Sequence, residues 1–577
     1  MEIVLPKSKV IKTKAFYDNQ ELTSVVIPDS VTEIGAFAFQ YCSNLEEVVL
    51  PPTLVKIGEQ AFDYCTKLSK IVLPNSLVEI EEGAFACCKN LTEIVIPDSI
   101  KVIRDACFKN SGLTSIVLPQ SLEAIESNAF EGCKFTSLAI PEAVTKIGKE
   151  AFARCKNLED VTLPKLETIP PFLFADCQAL KQIEIPESVT SIDKQSFRNC
   201  TSLKSLHISD KVKNIATDAF WGCTFNLSID PNNATYYDGG CNAIIDKNSN
   251  ILIKGFGNTT IPESVVAIAG GAFADCSALT EIRIPENVTA IGDGAFKNCK
   301  NLTEIHIPES VTTICARLFS GCENLTRVSM GEGVQKIDEG AFEGCSSLTE
   351  IHLPKKLEII ENGVFNGCKS LSTIELPYGV LTINKYAFRD TSIQSIILPD
   401  SVRQIGFQSF DKSQITSIEI PAGVNNISWL GALNLESIIV SETNPYFDSR
   451  DNCNAIINTK MNKLIMGCKN TVIPPSVESI DQFAFNRSTI EQITIPETVQ
   501  TINSRAFDGC VDLKSVTFEG ANIEINGELF RDCPSLKTIM VPAKKTKYFM
   551  KRIRADHHTA IVEPAPVKKA KAKAKAK

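Results

Sequence analysis

No run of about 18 apolar residues occurs in this sequence, so no segment is long enough to cross a bilayer as a helix. A G-x-G-x-x-G opening a helix is missing, as are a phosphate loop, H-E-x-x-H and G-x-S-x-G, which removes the usual signatures of nucleotide, zinc-protease and serine-hydrolase chemistry. No C-x-x-C pair has zinc spacing, and neither a metal nor any other cofactor is expected. The start, Met1-Glu2-Ile3-Val4-Leu5-Pro6, has no basic segment followed by a long apolar one. That points to the cytoplasm, with the cell surface, reached by an unconventional route, as the minor reading. Catalysis has no foothold in these patterns, and a non-enzyme is expected.

What is present is repetition. A phenylalanine returns every 22 or 23 residues, from Phe16, Phe39, Phe62 and Phe85 through Phe220, again from Phe273 to Phe410, and at Phe485, Phe507 and Phe530. Self-similarity at this period means stacked units that bury their apolar faces only against neighbours, so 577 residues need not divide into separate cores. In the unit that starts at Leu279, the run Leu279, Ile282, Ile284, Pro285 reads as a short strand with alternating sides, stopped by proline. Val288 and Ile291 form a second apolar pair, then Ala295, Phe296 and Cys299 turn inward. Glycines such as Gly35, Gly58, Gly148 and Gly292 follow the second pair, where a positive φ is expected.

These units resemble the BspA-like class of leucine-rich repeats, whose 23-residue pattern reads LxxIxIPxxVxxIGxxAFxxC. The resemblance covers about residues 3–541. It implies a leucine-rich repeat solenoid, mainly β, with a parallel sheet on the concave face and short turns, short strands or 3-10 segments elsewhere. It also implies an interaction protein without enzyme activity, as in family members that act as surface adhesins.

Of the 21 cysteines, 15 stand three residues after a repeat phenylalanine, and Ser111, Thr391, Ser413 and Ser488 replace them elsewhere. A position that accepts a small hydroxyl is a packing site, and stacked parallel side chains are badly aimed for a disulfide, so reduced structural thiols are expected. In the adjacent pair Cys87-Cys88 one residue should point out and one in.

The period breaks twice, and the two breaks are copies. Cys241-Asn242-Ala243-Ile244-Ile245, with Asn250, Leu252, Ile253 and Gly255, matches Cys453-Asn454-Ala455-Ile456-Ile457, with Asn462, Leu464, Ile465 and Gly467. Each reads as an inserted β-hairpin. Asp246, Asn248 and Asn250 alternate like calcium ligands, but Ile251 stands where that loop needs glycine and Gly257 where it needs glutamate. The chain therefore parses as repeats over 1–223, a hairpin insert over 224–258, repeats over 259–424, a second insert over 425–470, repeats over 471–541, a cap over 542–563 and a disordered Lys/Ala tail over 564–577.

In L-x-x-I-x-I the residue between the isoleucines projects away from the core. That column runs Val26, Val49, Val72, Val95 and Val117, becomes polar with His207, Arg283, His306 and His352, and ends in Ile397, Ile439 and Met540. Five valines at about 4.8 Å per strand make an apolar stripe roughly 20 Å long, a candidate site for a protein partner. Thr23, Glu46, Glu47, Ser69, Lys70, Thr92 and Glu93 flank it and are placed to screen it. His306 and His352 lie two coils apart with Ser329 between, too far for acid–base partnership.

Charge is partitioned. The net charge of −9 becomes −15 once the six tail lysines, Lys568, Lys569, Lys571, Lys573, Lys575 and Lys577, are set aside. The tail is a candidate for weak contact with nucleic acid or another anionic surface. The favoured function is a protein-interaction scaffold, with a polyanion-tethered protein as the alternative; oligomeric state is not legible.

Overall fold

A computed structural model describes residues 2–3, 8–553 and 560–564. It comprises two compact units, Met1–Leu302 and Thr303–Lys577, each a stack of coils built on parallel strands. The expected β-solenoid is what each unit shows.

Within each unit, neighbouring coils are tied by hydrogen bonds in up to three places. The first is the L-x-x-I-x-I strand, where Ser24–Val26 pairs with Glu47–Val49 in parallel, Val26 opposite Val49. The second is a two-residue strand containing the next isoleucine: Ile34 faces Ile57, and Ile57 faces Ile80. The pair typified by Val288 and Ile291 in the sequence is this second ladder, for Ala290–Ile291 is a strand and Val288 is buried. In the motifs over 279–285, 350–354, 371–377 and 393–399 the first ladder is not strand, although Ile284, Ile351, Ile374 and Ile396 remain buried.

The third tie runs through the phenylalanine itself. Phe37, Phe39 and Tyr41 donate their backbone N–H groups to the carbonyls of Glu59, Ala61 and Asp63 in the following coil, while Ala38, Gln40 and Cys42 donate within their own coil to Gly35, Phe37 and Phe39. Alternating donors serve neighbour and self, which leaves no buried N–H of this segment unpaired. The alternation is reached by placing the residues two before and two after the ring in the left-handed region, as with Phe37 and Tyr41 at φ 58° and 63°.

Gly35, Gly58, Gly148 and Gly292 are not at positive φ, contrary to the sequence expectation. They answer to space: a Cβ on Gly58 would lie 2.7 Å from the Ala36 nitrogen, and one on Gly148 2.4 Å from the Ser127 nitrogen. The left-handed corners fall elsewhere, on residues such as Gln60, Glu150 and Phe172.

Inside the coils the rings pile face to face. Phe39 and Phe62 are 5.2 Å apart and 1° from parallel, and the Met1–Leu302 column continues at similar spacing to Phe220. In the second unit Phe319, Phe342, Phe365, Phe388 and Phe410 form one such column, and Phe485, Phe507 and Phe530 another. Phe39 to Phe220 are fully buried, so removing one ring would cost about 3–5 kcal/mol.

The two breaks share one architecture. Ala243–Asp246 and Ile251–Gly255 form an antiparallel hairpin whose second strand continues the second ladder, Leu252 opposite Ile268. Ala455–Asn458 and Lys463–Gly467 repeat this with Leu464 opposite Ile480, and both hairpins carry a register shift at the same place. Each is locked by an asparagine: Asn233 donates to the Ser209 and Val212 carbonyls and accepts from Thr235 and Tyr236, as Asn444 does with Pro421, Val424, Tyr446 and Phe447.

At the C-terminal end the helix Thr546–Met550 lies over the last coil with Phe549 fully buried against Phe518, and Ala560–Val562 adds a final strand to Thr538–Met540.

Candidate binding face

The first ladder presents its odd residues outward, as the alternation required. Val25 is 1% exposed, whereas its neighbour Val26 is 51% exposed. Val49, Val72, Val95 and Val117 are likewise exposed, between 47% and 82%. The flanking polar residues do not cover them. Lys70 reaches back to Glu47 at 4.0 Å, an exposed pair of little energetic weight, and Ser69 is turned toward the Glu46 carbonyl. Val26 and Val49 are strand partners, as are Val95 and Val117. Val72 stands one residue past the end of its strand, Lys70–Ile71, and is the most exposed of the five.

The polar part of the column is built differently. His207 lies opposite Ser228 and its Nδ1 is 3.0 Å from the serine Oγ; His306 lies opposite Ser329 at 2.9 Å in the same arrangement. Both pairs are solvent-exposed. Ser329 thus stands beside His306, as the spacing predicted, and His352 is exposed in the motif over 350–354. Arg283 makes a 2.7 Å ion pair with Glu263, both largely exposed, outside any strand. These side chains expose hydrogen-bond donors, acceptors and charge, His207 and Arg283 on the first unit and His306 and His352 on the second.

Among the described residues no group of three or more His, Cys, Asp or Glu is placed to hold a metal. Asp246 serves the hairpin turn instead. Its Oδ1 accepts from the N–H groups of Asn248 and Ser249 and from the Ser249 hydroxyl, which closes the turn and holds the carboxyl below its usual value. Among the described residues no helix is long and apolar enough to cross a membrane. The six tail lysines, Lys568 to Lys577, lie outside the described residues.

Sequence reasoning missed three features. An open groove of about 410 Å³ runs along the second ladder of the first coils, with Glu33, Lys56, Glu59, Glu81 and Glu82 in its wall. Burial and the charges of Asp105 and Glu59 push the Glu82 carboxyl up, while Lys56, bonded to Glu81 and Glu79, is pushed up as well. Tyr17, Tyr41 and Tyr64 form an exposed aromatic row with ring centres 5.7 and 5.1 Å apart, signalled only by tyrosine recurring just after the repeat phenylalanine. Lys254 is 2% exposed inside the first hairpin, and burial pushes its amine below the usual lysine value, with the thiols of Cys276, Cys223 and Cys299 nearest in effect. Its register partner is Ile244; the same place in the second hairpin holds Met466 opposite Ile456.

Among the described residues no cysteine is in a disulfide. Cys88 is buried and Cys87 half-exposed, one in and one out. The column after phenylalanine donates its thiols to the preceding coil's phenylalanine carbonyl: Cys42 to Phe16, Cys88 to Phe62, Cys177 to Phe152, Cys299 to Phe273, Cys368 to Phe342 and Cys510 to Phe485, at 2.9–3.2 Å.

Among solved structures, a leucine rich cell surface protein from Faecalibacterium prausnitzii A2-165 is 28% identical, with 63% of this chain and 82% of that one covered and a TM-score of 0.31. A leucine-rich repeat protein from Bacteroides ovatus ATCC 8483 is 29% identical over 70% of this chain and 88% of that one, TM-score 0.34. One from Eubacterium ventriosum ATCC 27560 is 22% identical over 68% and 89%, TM-score 0.38. No curated protein matches the chain. The model of the BspA type leucine rich repeat region matches residues 9–136, 123–241, 252–351, 335–455 and 455–553. With coils of this construction along the matched residues, the chain belongs to the BspA type leucine rich repeat family.

Proposed function

We propose that the chain is a non-enzymatic scaffold that binds a protein partner along the outward face of the first ladder, with the valine ribbon as its apolar anchor. The observation that supports this is the exposure of Val26, Val49, Val72, Val95 and Val117 on successive coils, an apolar column on a surface otherwise rich in charge. A flat ribbon suits an extended or sheet-like protein surface better than a small molecule, which needs a concave site. His207 and Arg283, in the same unit as the valines, and His306 and His352, in the second unit by itself, expose polar groups of the kind found at the rim of such interfaces.

Capture of partners from native lysate by the wild-type chain and by a Val49→Glu, Val72→Glu, Val95→Glu variant tests the reading. All three side chains are at the surface, so the variant is expected to fold and melt like the parent. Loss of specific bands with unchanged melting is the expected result. An unchanged set of bands removes the ribbon as the site.

A further inference from the structure

The charge of the molecule changes sign at its C-terminal end. Between residues 533 and 553 there are six Lys or Arg and no acidic residue, in a chain whose overall net charge is −9. Here the cations sit on a folded element. Phe549, fully buried against Phe518 at 4.8 Å, and the buried Ile553 pin the cap helix to the last coil. That fixes which side chains remain outside: Lys544, Lys547, Met550, Lys551 and Arg552 are all exposed.

Met550 selects among anionic partners. It is 59% exposed, with Lys547 three residues before it and Lys551 beside it. A phosphate backbone gains nothing from a thioether set among lysines, and among the described residues of the cap the one ring outside the core is occupied: Arg552 lies 3.9 Å above the Tyr548 ring, and the Tyr548 hydroxyl donates to the Ile523 carbonyl. An anionic bilayer fits both properties, because its headgroups attract the cations and its interface accepts an apolar side chain. We infer that the C-terminal cap is a docking surface for anionic phospholipid, with Lys544, Lys547, Lys551 and Arg552 meeting the headgroups and Met550 entering the interface. The surface lies outside the valine column, so its failure and that of the scaffold reading are distinguishable.

The test is co-sedimentation of the full chain with vesicles of phosphatidylcholine alone and of phosphatidylcholine mixed with phosphatidylserine, at about 0.15 M salt. Binding is expected only with phosphatidylserine. Lys547→Glu with Lys551→Glu, tail intact, should cut the partition by about tenfold or more, since each removed cation also becomes a repelled anion. Met550→Ser should cut it severalfold while leaving retention of a short DNA duplex unchanged. These exposed side chains have room to change, and unaltered melting of each variant confirms its fold. Absence of vesicle binding overturns the inference. So does full binding by the double variant, which would assign the attraction to the tail, and so does a Met550→Ser variant that binds vesicles like the parent.

Discussion

The thiol of Cys65 donates to the carbonyl oxygen of Phe39 across 3.1 Å, from one coil to the coil before it. The same carbonyl accepts the N–H of Cys42, so one oxygen joins two layers. A cysteine at this position is therefore a hydrogen-bond donor as well as a filler of space, and the C–S bond gives it the reach.

A hydroxyl in the same place finds another partner, as Ser111 does in Cys133 and Thr391 in the Phe388 carbonyl of its own coil, or none. Ser413 and Ser488 have buried oxygens with no hydrogen-bond partner. Ser413 follows Phe388 by the 25 residues that separate Cys133 from its acceptor Phe108. Ser413→Cys is expected to raise stability by about 1 kcal/mol, read as a higher midpoint of urea unfolding, and Cys133→Ser to lower it by a similar amount. A midpoint that falls in the first variant contradicts the donor role.

Burial pushes column and hairpin thiols up alike, Cys42, Cys241 and Cys453 to about 11 and Cys133, Cys177 and Cys223 to about 12, from the usual 9.0. A folded value above the unfolded one means stability is complete below pH 9.0 and is lost as pH rises toward 11 and 12, because only the unfolded chain releases these protons. Each thiol contributes a slope of about 1.4 kcal/mol per pH unit in that window. The melting temperature in reducing buffer is expected to be level up to pH 9 and to fall steeply above it. A level profile into the window would refute the burial argument.

Lys254 works in the opposite sense. Its folded value is depressed by burial below 10.5, so between the folded value and 10.5 the unfolded chain holds more protons and stability from this group grows with pH. Below the folded value the core contains a charge. Lys254→Met, which copies Met466 of the second hairpin, is expected to stabilise the chain at neutral pH and to remove that alkaline gain. Met466→Lys should destabilise it. Both are read from thermal melting across pH, and a Lys254→Met variant less stable than the parent would show the amine to be held by its surroundings.

The stacked phenylalanines, the alternation that exposes Val26 over Val25, and the twin hairpins are legible in the sequence because each follows from a period: 23 for the coil, 2 for the strand, one copy for the other. The left-handed corners are not, since Phe37, Gln60 and Glu150 are residues with no local preference for that conformation and adopt it because the next coil's carbonyls demand their N–H groups. The spacing glycines read as turn glycines for the same reason: what they avoid belongs to a neighbouring coil. Lys254 is hidden from the sequence because a lysine in a strand reads as solvent-facing until its register is known. On the first ladder, strand alternation alone sets the direction of the exposed side chains, whereas the identity of any partner is written in the partner.

The chain of N–H donors through Phe37, Phe39 and Tyr41 to the coil above is repeated by Gln60, Phe62 and Tyr64 to the coil above that. Both junctions therefore ask the same thing of the layers they join. Excising residues 60–82 would bring residue 59 to Gly83 and re-form the junction between like partners. A protein assembled in this way lengthens or shortens by whole layers through tandem duplication or loss in its coding sequence, and its surface ribbons gain or shed one residue at each step.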